Sequence, residues 1–303
     1  MTRKFLFAAL LAWSASLSAA PVPGAWVDGV LPVENPPVVQ SIDLPVTLKR
    51  DNLAREGWAQ QTPDQRLVYN VSQPQILPWP SSLAKDTVAP AVLLIPGGGY
   101  QFLAIDNEGF DVARRLDRQG VRVFIVKYRT LPLPDSFAGF KEAISATFQK
   151  GVRPTADSRP FAVADAQAAI RMVRARAGEW HIDPAKIGIL GFSAGAMTVL
   201  ATTQANASDA RPDFVGMIYG PTQAEDLPEN LPPLFSAIAA DDRFFRGQDL
   251  SLIHAWRTSG SKVEFHLYSA GGHGFASQPN GTTSDAWFDQ FVLWLKASGI
   301  TAK

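Results

Sequence analysis

Apolar and polar residues along the chain change period in a way that separates strands from helices. Gln65 to Ser72 (QRLVYNVS) alternate one by one, as a strand with one buried face requires. Ala91 to Ile95 (AVLLI) is apolar throughout and ends at Pro96-Gly97-Gly98-Gly99, which suits a strand buried on both faces of a parallel sheet. Phe110, Ala113 and Leu116 then recur at helical spacing, Gly120 supplies a stop, and Val121 to Val126 is mostly β-branched and apolar again. Strand, helix and strand in that order predict a right-handed crossover. Ala166, Ala169, Ile170, Val173 and Ala177 define another helical face, with Arg171 and Arg174 directed elsewhere, and Asp183-Pro184 turns the chain into the next strand. Further buried strands are expected at Phe214 to Tyr219, Phe235 to Ala240 and Val263 to Tyr268. A last helix runs from about Asp285 to Ala297, with Trp287, Phe288, Phe291 and Leu295 on its apolar side. Strands alternating with helices imply an α/β class, a mostly parallel central sheet with helices on both faces.

Two stretches depart from that rhythm. Pro74, Pro78 and Pro80 mark a turn ahead of the first buried strand. Thr130 to Pro160 carries several prolines and one helical patch, Phe140 to Gln149; such an insertion serves as a lid or substrate wall, or is a structural excursion.

The N-terminus has its own pattern. Arg3 and Lys4, an apolar run from Phe5 to Trp13, and small residues Ser16, Ser18, Ala19 and Ala20 form a secretory signal peptide over residues 1–20. Its apolar run is too short to span a bilayer, so no stable membrane insertion is expected after cleavage, and the protein is expected in the periplasm or secreted. Residues 21–64 read as an extended leader laid on the domain surface, proline-rich over Pro21 to Pro45, and residues 65–303 as one catalytic domain. Lys plus Arg and Asp plus Glu both number 28, so no net field favours nucleic acid or anionic membranes, and a nucleic-acid partner is not expected. The sequence contains 0 cysteines, which excludes disulfides, Cys-ligated metals and a cysteine nucleophile together.

Chemistry concentrates in Lys186 to Val199, KIGILGFSAGAMTV, whose centre Gly191-Phe192-Ser193-Ala194-Gly195 fits the nucleophile elbow GxSxG. The turn strains the serine backbone, and side chains at the two flanking glycines would collide with the adjoining strand and helix. A serine hydroxyl needs a base, and the base needs an acid to hold one tautomer. Of 4 histidines, His181, His254 and His266 lie in strand or helix contexts with structural readings. His273 sits in the flexible loop Ala270-Gly271-Gly272-His273-Gly274-Phe275 beyond a strand end and is the expected base. The acid is expected after Phe235 to Ala240, where Asp241-Asp242 stand; Asp242 is preferred because the first position leaving a strand is consumed by the turn. The order Ser193, Asp242, His273 is that of α/β-hydrolases and of neither chymotrypsin nor subtilisin. For the oxyanion, the N–H groups of Gly98, Gly99 and Ala194 are the expected donors. No Walker motif follows the triple glycine. No metal and no cofactor are required by this chemistry.

LLIPGGGYQFLAIDNEGFDVARRL, VFIVKYRT, DAQAAIRMVRARAGEWHIDPAKIGILGFSAGA, AADDRFF and GGHGF together resemble the secreted α/β-hydrolases of the acetyl xylan esterase or xylanase-associated esterase type, over about Asn70 to Leu295. That resemblance implies an α/β-hydrolase fold, no metal, and a serine esterase acting on short acyl esters of carbohydrate, with a small-molecule or oligosaccharide ester as substrate. It also implies the second aspartate as acid, and pocket or support roles for Tyr100 and Glu108, which match the PGGGY and EG positions. Relatives often continue the elbow as GFSAGGH; here Ala196 and Met197 follow Gly195 and make the floor behind the nucleophile bulkier. A prolyl-type serine peptidase, or a feruloyl or lipid esterase, would share triad and fold. Oligomeric state is not legible.

Overall fold

The computed structural model describes residues 25–34, 40–48, 54–149 and 158–302. The expected signal peptide, parts of the leader and residues 150–157 of the insertion lie outside the described residues. The strands of the first half are β1 (Leu31–Pro32), β2 (Ile42–Asp43), β3 (Gly57–Thr62), β4 (Gln65–Tyr69), β5 (Gln75–Pro78), β6 (Ala89–Ile95) and β7 (Phe102–Leu103). Those of the second half are β8 (Arg122–Lys127), β9 (Ile182–Phe192), β10 (Phe214–Ile218), β11 (Leu234–Ala239) and β12 (Val263–Tyr268). The helices are α1 (Ala25–Asp28), α2 (Asp111–Asp117), α3 (Phe137–Phe148), α4 (Arg159–Ala175), α5 (Ala194–Ala205), α6 (Ser251–Thr258) and α7 (Trp287–Ala297).

Among the described residues, eight strands form the central sheet in the order β12-β11-β10-β9-β6-β8-β5-β2. From β12 to β8 every pairing is parallel, while β5 and β2 extend the β8 edge antiparallel. Each residue of β6 and of β11 is buried, which needs cover on both faces and accounts for their unbroken apolar runs. α5 packs on β9 and β10, α2 on β8, and α7 on β11. This is the α/β-hydrolase architecture, with the carboxyl ends of β6, β9, β11 and β12 at one rim.

Three expectations change. Gln75–Pro78 is not a turn but a strand, antiparallel to β8 from Gln75 opposite Lys127 to Pro78 opposite Phe124. Proline is tolerated there because it ends the strand, where a missing N–H breaks no ladder. Asp183-Pro184 does not precede β9 but lies inside it, where the pairing to β6 shifts register and Asp183 Oδ1 accepts the Ala185 N–H at 3.0 Å. The boundary expected at residue 65 falls inside a hairpin, because β3 pairs with β4 from Gly57 opposite Tyr69 to Thr62 opposite Gln65. The leader is therefore more than an extended surface segment: β1, β3, β4 and β7 make a second, four-stranded sheet, and β2 joins the central one.

That second sheet anchors the insertion. α3 begins at Ser136, whose Oγ accepts the Gly139 N–H at 3.2 Å, a capping bond of the usual kind. Phe140 and Ile144, both wholly buried, enter a small core with Val30, Ala59 and Leu67, and the Phe140 ring stacks on Tyr69 at 4.0 Å between centroids. Nearby, Arg129 and Asp165 form a buried ion pair at 2.5 Å that ties the end of β8 to α4. Removing one partner would leave an uncompensated charge. Asp165→Ala is expected to lower unfolding free energy by about 3–5 kcal/mol, read from denaturant midpoints; a loss within about 0.5 kcal/mol, the surface range, would overturn the role given to the pair.

Candidate active site

β9 delivers its last residue, Phe192, into a reversal at Ser193 with φ 52° and ψ −117°, after which Ala194 starts α5. A non-glycine residue with positive φ is strained by about 1–3 kcal/mol. The reversal is pinned by the Ser193 N–H donating to Ile218 O at 3.1 Å and by the Met197 N–H donating to Ser193 O at 3.0 Å. Gly195 allows it: a Cβ there would run into the carbonyl oxygen of Ile95 on β6. Gly97 is needed for the same closeness from the other side, since its Cβ would stand 2.8 Å from Ser193 Cβ and 2.7 Å from Phe192 O.

His273 reaches this point from the loop after β12. Its Nε2 lies 2.8 Å from Ser193 Oγ and its Nδ1 2.8 Å from Asp242 Oδ2. Asp242 is wholly buried, and its second oxygen accepts the Phe244 N–H at 2.9 Å. Asp241 serves differently: its Oδ1 accepts the Gly272 N–H at 2.8 Å and so holds the histidine loop. Ser277, further along that loop, is tied at 3.0 Å through its N–H to Asn107 Oδ1. Three rings surround the imidazole, Tyr219 at 4.9 Å, Phe244 at 4.7 Å and Phe245 at 6.0 Å between centroids.

Gly98 and Gly99 follow β6 in the loop that packs, through Gly97, on Phe192 and Ser193, and Ala194 opens α5 directly after Ser193. Among the described residues none of their three N–H groups donates to a protein acceptor, whereas the Gly97 N–H is taken by Glu108 Oε2. Tyr100 and Glu108 stand behind this loop rather than on the pocket surface. Tyr100, buried at 9% exposure, lies 3.1 Å through its hydroxyl from Thr198 Oγ1 on α5. Glu108 sits in one turn of π-helix, Asp106–Phe110, a wider turn that directs its carboxyl at the loop. The Tyr219 hydroxyl donates to its other oxygen at 2.8 Å. Burial pushes the Glu108 carboxyl up from its ordinary value of 4.5, against the opposing pull of the Tyr219 and Gly97 donors and of His273. Burial and the neighbouring Glu108 hold the Tyr219 phenol well above its usual value, so it remains a donor.

Sequence reading missed Tyr219, Phe148 and Phe244. Tyr219 closes a buried run and looked like core; its one signal was a polar-tipped aromatic at a strand's carboxyl end, the rim where sites form. Among the described residues no group of three His, Asp or Glu side chains is placed to hold a metal ion.

Residues 86–297 match the dienelactone hydrolase family, and the chain belongs to it. It is 24% identical over 241 residues to an acetylxylan esterase of Xylanibacter ruminicola, covering 68% of this chain and 45% of that protein. It is 31% identical over 115 residues to gut esterase 1 of Caenorhabditis briggsae, covering 38% and 18% respectively. The chain thus spans less than half the length of these curated relatives. Among solved structures, it resembles an acetyl ester-xyloside bifunctional hydrolase from Caldicellulosiruptor lactoaceticus, with TM-score 0.61 and 21% identity over 76% of this chain and 90% of that one. Esterase 2 of Thermogutta terrifontis superposes with TM-score 0.62 and 17% identity over 89% and 100%. These likenesses establish the fold.

Glu108→Gln offers one acceptor where two donors need one. Because the folded state binds the Glu108 proton more tightly than the unfolded chain, stability from this group is fully present below 4.5 and declines as pH rises through the raised folded value. Denaturation of wild type and Glu108→Gln at several pH values should show wild type losing stability relative to the variant as pH rises. A difference independent of pH would rule this out.

Proposed function

We propose that the protein is a serine esterase that hydrolyses short acyl esters, of the acetyl type, on carbohydrate. The observation that carries the reading is the continuous chain from Ser193 Oγ through the His273 ring to the buried Asp242 carboxylate, with both contacts at 2.8 Å. His273 Nε2 takes the serine proton as Oγ attacks the ester carbonyl carbon. The carbonyl oxygen, now an anion, is received by the N–H groups of Gly98, Gly99 and Ala194, of which one is worth about 3–4 kcal/mol in the barrier. The C–O bond to the alcohol breaks, and the leaving oxygen takes the proton from His273. Water then enters, gives its proton to His273 and attacks the acyl carbon, and Ser193 leaves with that proton as the acid departs. Asp242 remains ionised, fixes the Nδ1–H tautomer and stabilises the imidazolium. No step needs a cofactor.

Support for an ester substrate comes from the family and from the relatives described as acetylxylan esterase and acetyl ester-xyloside hydrolase. Export to the periplasm or medium is part of the same proposal and rests on the basic, apolar and small-residue pattern of residues 1–20. No helix of the described residues is long and apolar enough to cross a membrane.

A fluorophosphonate probe should label wild type and not Ser193→Ala. On 4-nitrophenyl acetate, Ser193→Ala and His273→Ala should each lower kcat by about 10⁴-fold or more, and Asp242→Asn by about 10⁴-fold, the size known for a lost triad acid. An aminoacyl anilide assayed beside the ester decides between esterase and peptidase. Labelling that survives Ser193→Ala, or anilide cleavage exceeding ester cleavage, would refute the proposal.

A further inference from the structure

The surroundings of Ser193 differ on its two sides. Ser193 ends β9, with β6 as one neighbour and β10, then β11, on the other. On the β6 side Phe148, the last residue of α3, brings its ring tip to 2.9 Å from the point a Cβ on Gly99 would occupy. Phe244, beyond Asp242, lies edge-on to the Phe148 ring at 6.4 Å between centroids and to His273 at 4.7 Å. One ring from the end of α3 and one from the segment after β11 therefore stand together beside Gly99 and His273.

On the β10 side lies a groove of about 370 Å³ that runs along α5. Met197 and Leu200 give it an apolar floor, and Gln204, Gln223, Asp226 and Gln248 a polar rim. It starts beside the chemistry: Met197 is one turn from Ser193, and Phe245, which lines the groove, packs on His273 at 6.0 Å. Its rim is fixed by backbone contacts, since Gln248 Oε1 accepts the Thr222 N–H at 2.9 Å and Gln204 Nε2 donates to Glu225 O at 2.7 Å. The Gln248 NH₂ has no protein acceptor among the described residues. Planar amides and a carboxylate over an apolar floor suit a ring that carries several hydroxyls on one side and C–H groups on the other. A long acyl chain would leave those polar groups unmatched.

We propose that the ester is divided at Ser193, its short acyl part in the space walled by Phe148 and Phe244, and its alcohol part, a polyhydroxylated ring, in the groove along α5. This rests on the esterase reading. The leaving oxygen must lie at His273 Nε2 to receive its proton, and Phe245 carries the groove up to that ring. Met197 and α3 thereby gain functions, as floor of the alcohol site and as wall of the acyl site.

The test uses the full chain with 4-nitrophenyl acetate, 4-nitrophenyl hexanoate and acetylated xylotriose. In the double variant Gln204→Ala/Gln223→Ala, the ratio of kcat/KM on acetylated xylotriose to that on 4-nitrophenyl acetate should fall about tenfold, the worth of one to two hydrogen bonds. In Phe148→Ala the hexanoate to acetate ratio should rise about tenfold. Either ratio left unchanged overturns its half of the division, and a uniform fall on all substrates assigns the residues to stability alone. Wild type that cleaves 4-nitrophenyl acetate through Ser193 but not the xylotriose ester sinks the groove and spares the esterase reading. Wild type that cleaves none and is not labelled at Ser193 sinks both.

Discussion

The close approach of three chain segments at Ser193 is the constraint on which the rest depends. β9 must reverse into α5 within touching distance of the β6 loop, and Gly195 and Gly97 are the positions at which any side chain would occupy a neighbour's atoms. The strained backbone of Ser193 persists because everything around it is fixed: buried strands on either side and a backbone bond to Ile218. The same closeness sets Ser193 and the start of α5 against the loop that carries Gly98 and Gly99, although Ser193 is about a hundred residues further along the chain than the glycines. Donors that are already in place need no reorganisation when negative charge forms, which is how a rigid turn becomes chemically useful.

Two buried carboxylates share this centre and are kept distinct by what they face. Asp242 meets an imidazole and one N–H; Glu108 meets a phenol and one N–H. Tyr219 connects them, with its hydroxyl on Glu108 and its ring edge-on to His273 at 4.9 Å. Its backbone has φ 37°, so strain at the end of β10 accompanies strain at the end of β9. The loop that holds the donors and the ring that holds the proton are thus braced by one residue. A shift of the oxyanion loop cannot leave the base undisturbed.

Much of this was legible because parallel strands leave long apolar runs. β6, β10 and β11 were each visible in this way, as were the helices between them; β12 was placed too, but it is a half-buried edge strand and not the buried one expected. The other three edge strands were not: β1, β2 and β7 have 2 residues each, too few to display a period. β5 was hidden by prolines that read as a turn. In the site, Ser193, His273 and the glycines stood out because tight turns restrict residue type locally. Asp241 and Asp242 could be ranked by a local rule about strand ends, and the structure sends Asp242 to His273 and Asp241 to Gly272. Phe148 and Phe244 carried no such signal. Their roles come from each other, across a distance in sequence that no local pattern spans.

That non-local origin explains why the N-terminal segments cannot be set apart from the site. α3 holds Phe148 over Gly99 through Phe140 and Ile144, whose burial at about 1.5–3 kcal/mol each depends on β3, β4 and β7 being present as a platform. A bond of 2.5 Å from Gln101 Nε2 to Thr147 Oγ1 then ties the helix directly to the oxyanion loop. Two buried apolar side chains, a stacked ring and a bond to the loop beneath it dock this helix. The central sheet therefore sets what reaction can occur at Ser193. The small sheet, built largely from residues ahead of the first central parallel strand, sets how much room the reacting group is given.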